Sequence, residues 1–146
     1  MQLFEFLERF SGEKECIDYL VETHLRIGIV CPICGCNKHV WHELSSRFEC
    51  LQCHNFSNIK SETLMKSSIL PIKYWFIAIQ LLTSETDASS LYDINAKLGR
   101  KNIDQINSMM SQLRNGLEDL NREPTFDNLL ELCLRNSKTI DISKSR

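Results

Sequence analysis

The chain has 146 residues, 42% of them hydrophobic, and its 17 Lys and Arg against 19 Asp and Glu leave a net charge of -2. That length holds one ordinary domain or two small ones, and no apolar run approaches the ~18 residues that would cross a bilayer, which excludes a membrane-spanning helix. The slightly acidic balance excludes a nucleic-acid binder that is basic over its whole surface, so any DNA contact must be local.

Leu3, Phe6, Leu7 and Phe10 fall at helical spacing, and Ser11-Gly12 interrupts them. The stretch Met1 to Phe10 is acidic and amphipathic and lacks the character of a secretory leader, which points to a cytoplasmic protein with reduced thiols. A second helix is expected next, capped by Ser11, with Glu13 and Glu15 suiting its positive end and Cys16, Leu20, Val21 and His24 on one face. His24 reads as a helix-end residue, and Cys16 and Cys133, both within apolar stripes, read as small hydrophobes.

From Gly28 to Ile59 the pattern changes to short extended pieces. Cys31-Pro32-Ile33-Cys34 and Cys50-Leu51-Gln52-Cys53 form two C-x2-C pairs with fifteen residues between them, a spacing that reads as a four-thiolate zinc site. Pro32 stiffens the first turn, and Gly35 stands where a positive φ is wanted. A disulfide framework and a thioredoxin-like redox pair are the competing readings; the first lacks an oxidising context and the second comes singly beside a βαβ pattern. Cys36, His39, His42 and His54 are near enough in sequence to replace a ligand, but the assignment is one zinc ion on Cys31, Cys34, Cys50 and Cys53.

His39 to Leu44 is rich in strand formers, and Arg47-Phe48-Glu49 is placed to pair back across Ser45-Ser46. This is the layout of a zinc ribbon with a core of little more than Trp41, Phe48 and Phe56, so the metal is expected to supply most of its stability. Pro71 suits the first turn of a helix through Leu82, with Ile72, Trp75, Phe76, Ile79 and Leu82 as its stripe. Asp87 to Ser90 offers caps for a short helix with Leu91, Ile94 and Leu98 inward and Gly99 at its end. Asn102 and Gln105 then form a capping box for a helix carrying Ile103, Ile106, Met110, Leu113, Leu117 and Leu120. These two helices with their glycine-containing turn suggest a helix-turn-helix; a plain helical bundle and a dimer seam fit the same periodicity. Pro124 breaks the chain, Phe126 to Leu134 is predicted as a last short helix, and the polar tail Asn136 to Arg146 is expected to fray. The expected fold is thus α+β and mostly α: N-terminal helices over 1–27, a small β zinc ribbon over 28–60, a helix-turn-helix-like bundle over 61–122, and a C-terminal helix and tail over 123–146.

Read in order, Cys16-Ile17-Asp18-Tyr19-Leu20, Gly28-Ile29-Val30-Cys31-Pro32-Ile33-Cys34-Gly35, Arg47-Phe48-Glu49-Cys50-Leu51-Gln52-Cys53, Phe56-Ser57, Leu70-Pro71-Ile72-Lys73-Tyr74-Trp75-Phe76-Ile77-Ala78-Ile79 and Leu98-Gly99 resemble the N-terminal region of DDE-type insertion-sequence transposases that begin with a zinc ribbon. The resemblance covers about Phe6 to Arg114. It implies a DNA-binding module whose partner is duplex DNA at element ends or a promoter, or a transposase subunit. Transposases of this kind continue into an RNase-H-like domain whose carboxylates hold two metal ions about 3.5 to 4 Å apart; the chain stops before one, and the expectation is a non-catalytic protein. Lys38, Arg47 and Lys60 on the ribbon, with Lys97, Arg100 and Lys101 in the helical half, are the candidate phosphate contacts, and Asn102, Gln105 and Asn107 the candidates for base edges. The competing function is a zinc-stabilised protein–protein interaction adaptor that does not touch DNA.

Overall fold

Alternating short strands and apolar helical stripes resolve into an α+β arrangement in a computed structural model of the chain, which describes residues 3–61, 63–84 and 103–144. In chain order these form α1 (Leu3–Arg9), α2 (Glu13–Ile27), β1 (His39–His42), β2 (Arg47–Cys50), β3 (Phe56–Ser57), α3 (Ile72–Thr83), α4 (Ile103–Asp119) and α5 (Phe126–Lys144). The short helix expected from Asp87 to Gly99 lies outside the described residues, as do Lys97, Arg100, Lys101 and Asn102.

α3 is the centre of the helical part. Its predicted stripe is buried at Ile72, Trp75, Phe76 and Ile79, and Ala78, Gln80 and Leu81 are buried as well, so the helix is covered on most sides. α1, α2, α4 and α5 all pack against it. Phe6 of α1, Phe10 just past its end, Tyr19 of α2, Phe76 and Phe126 form an aromatic cluster with neighbouring centroids 4.9 to 5.3 Å apart, mostly edge-to-face, the arrangement that ring quadrupoles favour. One apolar cluster therefore takes residues from all five described helices, although the sequence reading divides them among three segments.

α2 faces two ways. Cys16 and Leu20 belong to the helical core, whereas Val21 packs with Ile29 and Phe48 in a second, smaller cluster beneath the sheet. His24 is at the helix end as expected, buried, with its ring 5.4 Å from that of Phe48 and Nε2 3.2 Å from the Ile59 carbonyl oxygen. Gly28 ends α2 at φ 92, a conformation that side chains disfavour, and its N–H donates to the His24 carbonyl at 2.9 Å.

Several expectations need correction. Gly12, in extended conformation and without a side-chain cap, precedes α2 in place of Ser11. Glu13 instead reaches across to α3: its carboxylate accepts the Ile72 N–H at 2.8 Å and the Lys73 N–H at 2.9 Å. Two otherwise orphaned donors at a helix start are thereby satisfied by a distant residue, which fixes the start at Ile72 and leaves Pro71 just before the helix. Along α4, Ile106, Met110 and Leu113 are buried as predicted, but Ile103 is 40% exposed and Met109 takes an inward place. α5 starts where expected, with the Thr125 hydroxyl accepting the Asn128 N–H at 3.1 Å, and runs on to Lys144 past the predicted end at Leu134.

Because the Glu13 hydrogen bonds are charge-assisted and non-local, Glu13→Ala is expected to cost about 2 kcal/mol of stability, with Glu13→Gln milder. Denaturant midpoints check this, and an unchanged midpoint for Glu13→Ala would remove the bridging cap as a source of stability.

Candidate metal centre

Strand β2 pairs antiparallel with both neighbours, in the order β1-β2-β3. A hairpin forms where the sequence suggests one, with Val40 opposite Glu49 and Trp41 opposite Phe48, but β1 stops at His42 short of Leu44, so the connection has four residues in place of Ser45-Ser46 alone; the two-residue β3 was not anticipated. Each cysteine pair forms a tight turn of one design. In the first, the Gly35 N–H donates to the Cys31 carbonyl at 2.9 Å and the Ile33 N–H to the Cys31 sulfur at 3.4 Å. In the second, the His54 N–H donates to the Cys50 carbonyl at 2.9 Å. Both turns end on a left-handed residue, Gly35 at φ 78 and His54 at φ 65. Histidine tolerates this conformation better than most side chains, and its Nδ1 is held 2.8 Å from Glu49 Oε2.

These turns bring Cys31, Cys34, Cys50 and Cys53 together with all four sulfurs within 4.8 Å of one another. Cys31 and Cys53 are 3.5 Å apart, as are Cys34 and Cys50. A tetrahedral ion with bonds of about 2.3 Å to sulfur needs edges of about 3.8 Å, so the cluster can hold a metal ion with little adjustment.

The donor set also fits electrostatically. At Cys50 the backbone N–H groups, that of Cys53 foremost, outweigh desolvation and hold the thiol down at about 6. Burial opposes ionisation of Cys31, yet the backbone groups of Cys34 and Ile33 and the neighbouring sulfurs bring its pKa below the ordinary value. Cys34 moves the other way: the Cys36 backbone group favours its anion, but desolvation and the three adjacent sulfurs push it up to about 12. Backbone N–H groups thus favour negative charge here, while four neighbouring sulfurs ionise together only around a cation.

The alternative ligands are otherwise engaged. His42 Nε2 lies 2.7 Å from Glu49 Oε1, opposite His54 on the same carboxylate, and the Cys36 sulfur accepts the Lys38 N–H at 3.4 Å. Among the described residues, only the four predicted cysteines form a metal-ligand cluster.

The predicted DNA contacts fare unevenly. Lys38 is exposed beside the first turn, and its carbonyl accepts the Leu51 N–H at 3.0 Å. Arg47 is exposed with its guanidinium 4.2 Å from the Phe56 ring centroid. That contact corrects Phe56, which is 45% exposed and outside the core; Phe56 pairs with Glu49 and shares its outer face, while Phe48 points inward. Lys60 is consumed internally, its ammonium donating to the Leu70 carbonyl at 2.7 Å and the Ser68 carbonyl at 3.2 Å, and desolvation lowers its pKa against the pull of Glu13. Gln105 is half-buried and lines a shallow polar groove with Ser68, Trp75, Ser108 and Gln112, whereas Asn107 is exposed on α4.

His42, Arg47, Glu49 and Phe56 on the outer face of the sheet, with Leu44 of the turn and Trp41 beside them, line a groove of about 470 Å³ that the sequence reading missed. The alternation of Val40 and His42 with Trp41, opposite Arg47 and Glu49, was its available signal. No described helix is long and apolar enough to cross a membrane. The chain matches no protein-family model, no curated protein and no solved structure.

Proposed function

We propose that Cys31, Cys34, Cys50 and Cys53 hold one structural Zn2+ and that the chain is a non-catalytic zinc-ribbon protein that contacts duplex DNA, in line with the transposase region it resembles. The observation that carries the metal assignment is the convergence of four sulfurs within 4.8 Å on two matched turns. Zinc favours four thiolates in a tetrahedron, and such a closed site leaves no position for an activated water. The ion would serve folding, joining the two turns that flank the hairpin, and would hydrolyse nothing.

The DNA reading is supported by Lys38 and Arg47, exposed on the ribbon, and by Asn107, exposed near the start of α4; Lys97, Arg100 and Lys101 join them from the sequence. Lys60 leaves the set, because its ammonium is already bound by two carbonyls. If Arg47, Lys97, Arg100 and Lys101 neutralise phosphates, the log of affinity falls with the log of salt at about -0.9 per contact, or roughly -3 to -4 in all. Arg100→Ala with Lys101→Ala is expected to flatten the slope by about two, and Lys60→Ala to leave it unchanged. Fluorescence anisotropy on random duplex DNA across a salt series measures this.

A second reading, a protein-interaction adaptor, is favoured by the exposed apolar residues of the ribbon: Leu44 at 105%, Ile33 at 71% and Leu51 at 52%. Absence of DNA binding at low salt, with zinc bound and the fold intact, would transfer the assignment to this reading.

A further inference from the structure

The four cysteines differ in exposure. Cys31 and Cys50 are buried residues, Cys34 is half-buried and Cys53 is exposed. Across the two turns, Cys31 lies 3.5 Å from Cys53, and Cys34 lies 3.5 Å from Cys50. Each of these pairs joins a more exposed cysteine to a buried one. The distance exceeds a disulfide bond of about 2.05 Å by only ~1.5 Å, a gap small enough for side-chain movement to close. Bonds across the turns also close chain separations of 22 and 16 residues, whereas bonds within a turn close only three; longer loops restrict the unfolded chain more.

We propose that this centre is a site of reversible thiol oxidation, in which a peroxide converts the ligand set to the disulfides Cys31–Cys53 and Cys34–Cys50 and the metal leaves. The proposal rests on the metal assignment above. The exposed Cys53 thiolate attacks a peroxide oxygen; an S–O bond forms, the O–O bond breaks, and the departing hydroxide takes a proton to become water. The Cys31 thiolate then attacks the Cys53 sulfur, forming the S–S bond while the S–O bond breaks and a second water departs after protonation. Cys34 and Cys50 repeat the sequence. In balance, the tetrathiolate zinc centre, two hydrogen peroxide molecules and four protons give free Zn2+, two disulfides and four waters. The remaining cysteines are expected to be spared: Cys16 and Cys133 are buried in the helical core, and Cys36 lies outside the four-sulfur cluster.

The test uses the full chain loaded with zinc and titrated with hydrogen peroxide, with released zinc read by a chromogenic chelator and thiols counted after denaturation. The expected result is loss of one zinc per chain as the free thiols fall from the chain's seven to three, four having closed into two disulfides. Tandem mass spectrometry should then show the links 31–53 and 34–50, and a thiol reductant with added zinc should restore the starting state. Links within the turns, a link to Cys36, or zinc release only through sulfinic or sulfonic acids would overturn the proposal. The same mapping on chain that takes up no zinc separates the two claims: absence of zinc defeats the metal assignment, while the links that form still decide the pairing. A Cys36→Ser variant keeps all four proposed ligands and should lose its zinc with the same two links forming; a changed link pattern in it would also refute the specific pairing.

Discussion

Replacing Cys50 with serine is expected to release the proposed zinc and unfold the β-sheet segment while the helical core persists. The metal would be the main restraint on this segment: the apolar cluster beneath the sheet is small, with Val21, Ile29 and Phe48 buried and Ile17, Trp41 and Ile59 partly so. Structural zinc contributes on the order of 10 kcal/mol to small sites of this kind, far more than such a cluster replaces. The helical residues around Trp75 form a separate apolar cluster, so far-UV circular dichroism should keep most of its helical signal while Trp41 fluorescence moves toward that of an exposed indole. Ligand thiols must lose their protons to bind, so zinc affinity should weaken as pH falls and chelators should act faster in acid. Elemental analysis showing one zinc per chain in both the native protein and Cys50→Ser would sink the ligand assignment.

Trp75→Ala is expected to cost roughly 3 to 5 kcal/mol, a large part of the 5 to 15 kcal/mol that holds a typical domain folded. The indole is 1% exposed at the centre of the helical core, and its Nε1–H donates to the Ser68 hydroxyl at 3.1 Å. Truncation removes the largest buried side chain and leaves a cavity among α3 and its neighbours. It also strips Ser68 of its indole donor, on the loop that Lys60 ties down through the Ser68 and Leu70 carbonyls. Trp75→Phe should recover most of the packing and lose chiefly the hydrogen bond, worth about 1 kcal/mol. Equilibrium denaturation followed by circular dichroism gives both values; a Trp75→Ala midpoint equal to the native one would show that the ring is not a core element.

The four-cysteine cluster could be read from spacing because such a turn is local chemistry: two residues between cysteines, a proline within the first pair and a glycine after it point to it. The existence of the hairpin was legible from strand formers on both sides of a polar break, but its register was not: β1 stops at His42, which opposes Arg47 across a four-residue loop. His54 was harder to place. Its left-handed conformation and its bond to Glu49 depend on the turn that Cys50 and Cys53 form, so in sequence a histidine beside a cysteine reads equally as a ligand. Phe56 was misplaced because aromatic character signals burial, whereas its position opposite Glu49 and under Arg47 is set by a third strand too short to carry a pattern.

What the sequence determined by itself was the set of near-neighbour relations: the cysteine turns, the existence of the hairpin and the buried stripe of α3, each governed by a period or spacing within a few residues. Only the tertiary structure decided which faces meet. It set Glu13 on the start of α3 59 and 60 residues away and gave α2 two buried faces. It also withdrew Lys60 from the surface by offering its ammonium two carbonyls. A charged side chain carries no mark of whether it will meet phosphate, water or a helix end, because that depends on desolvation and on partners brought near only when distant apolar faces pack.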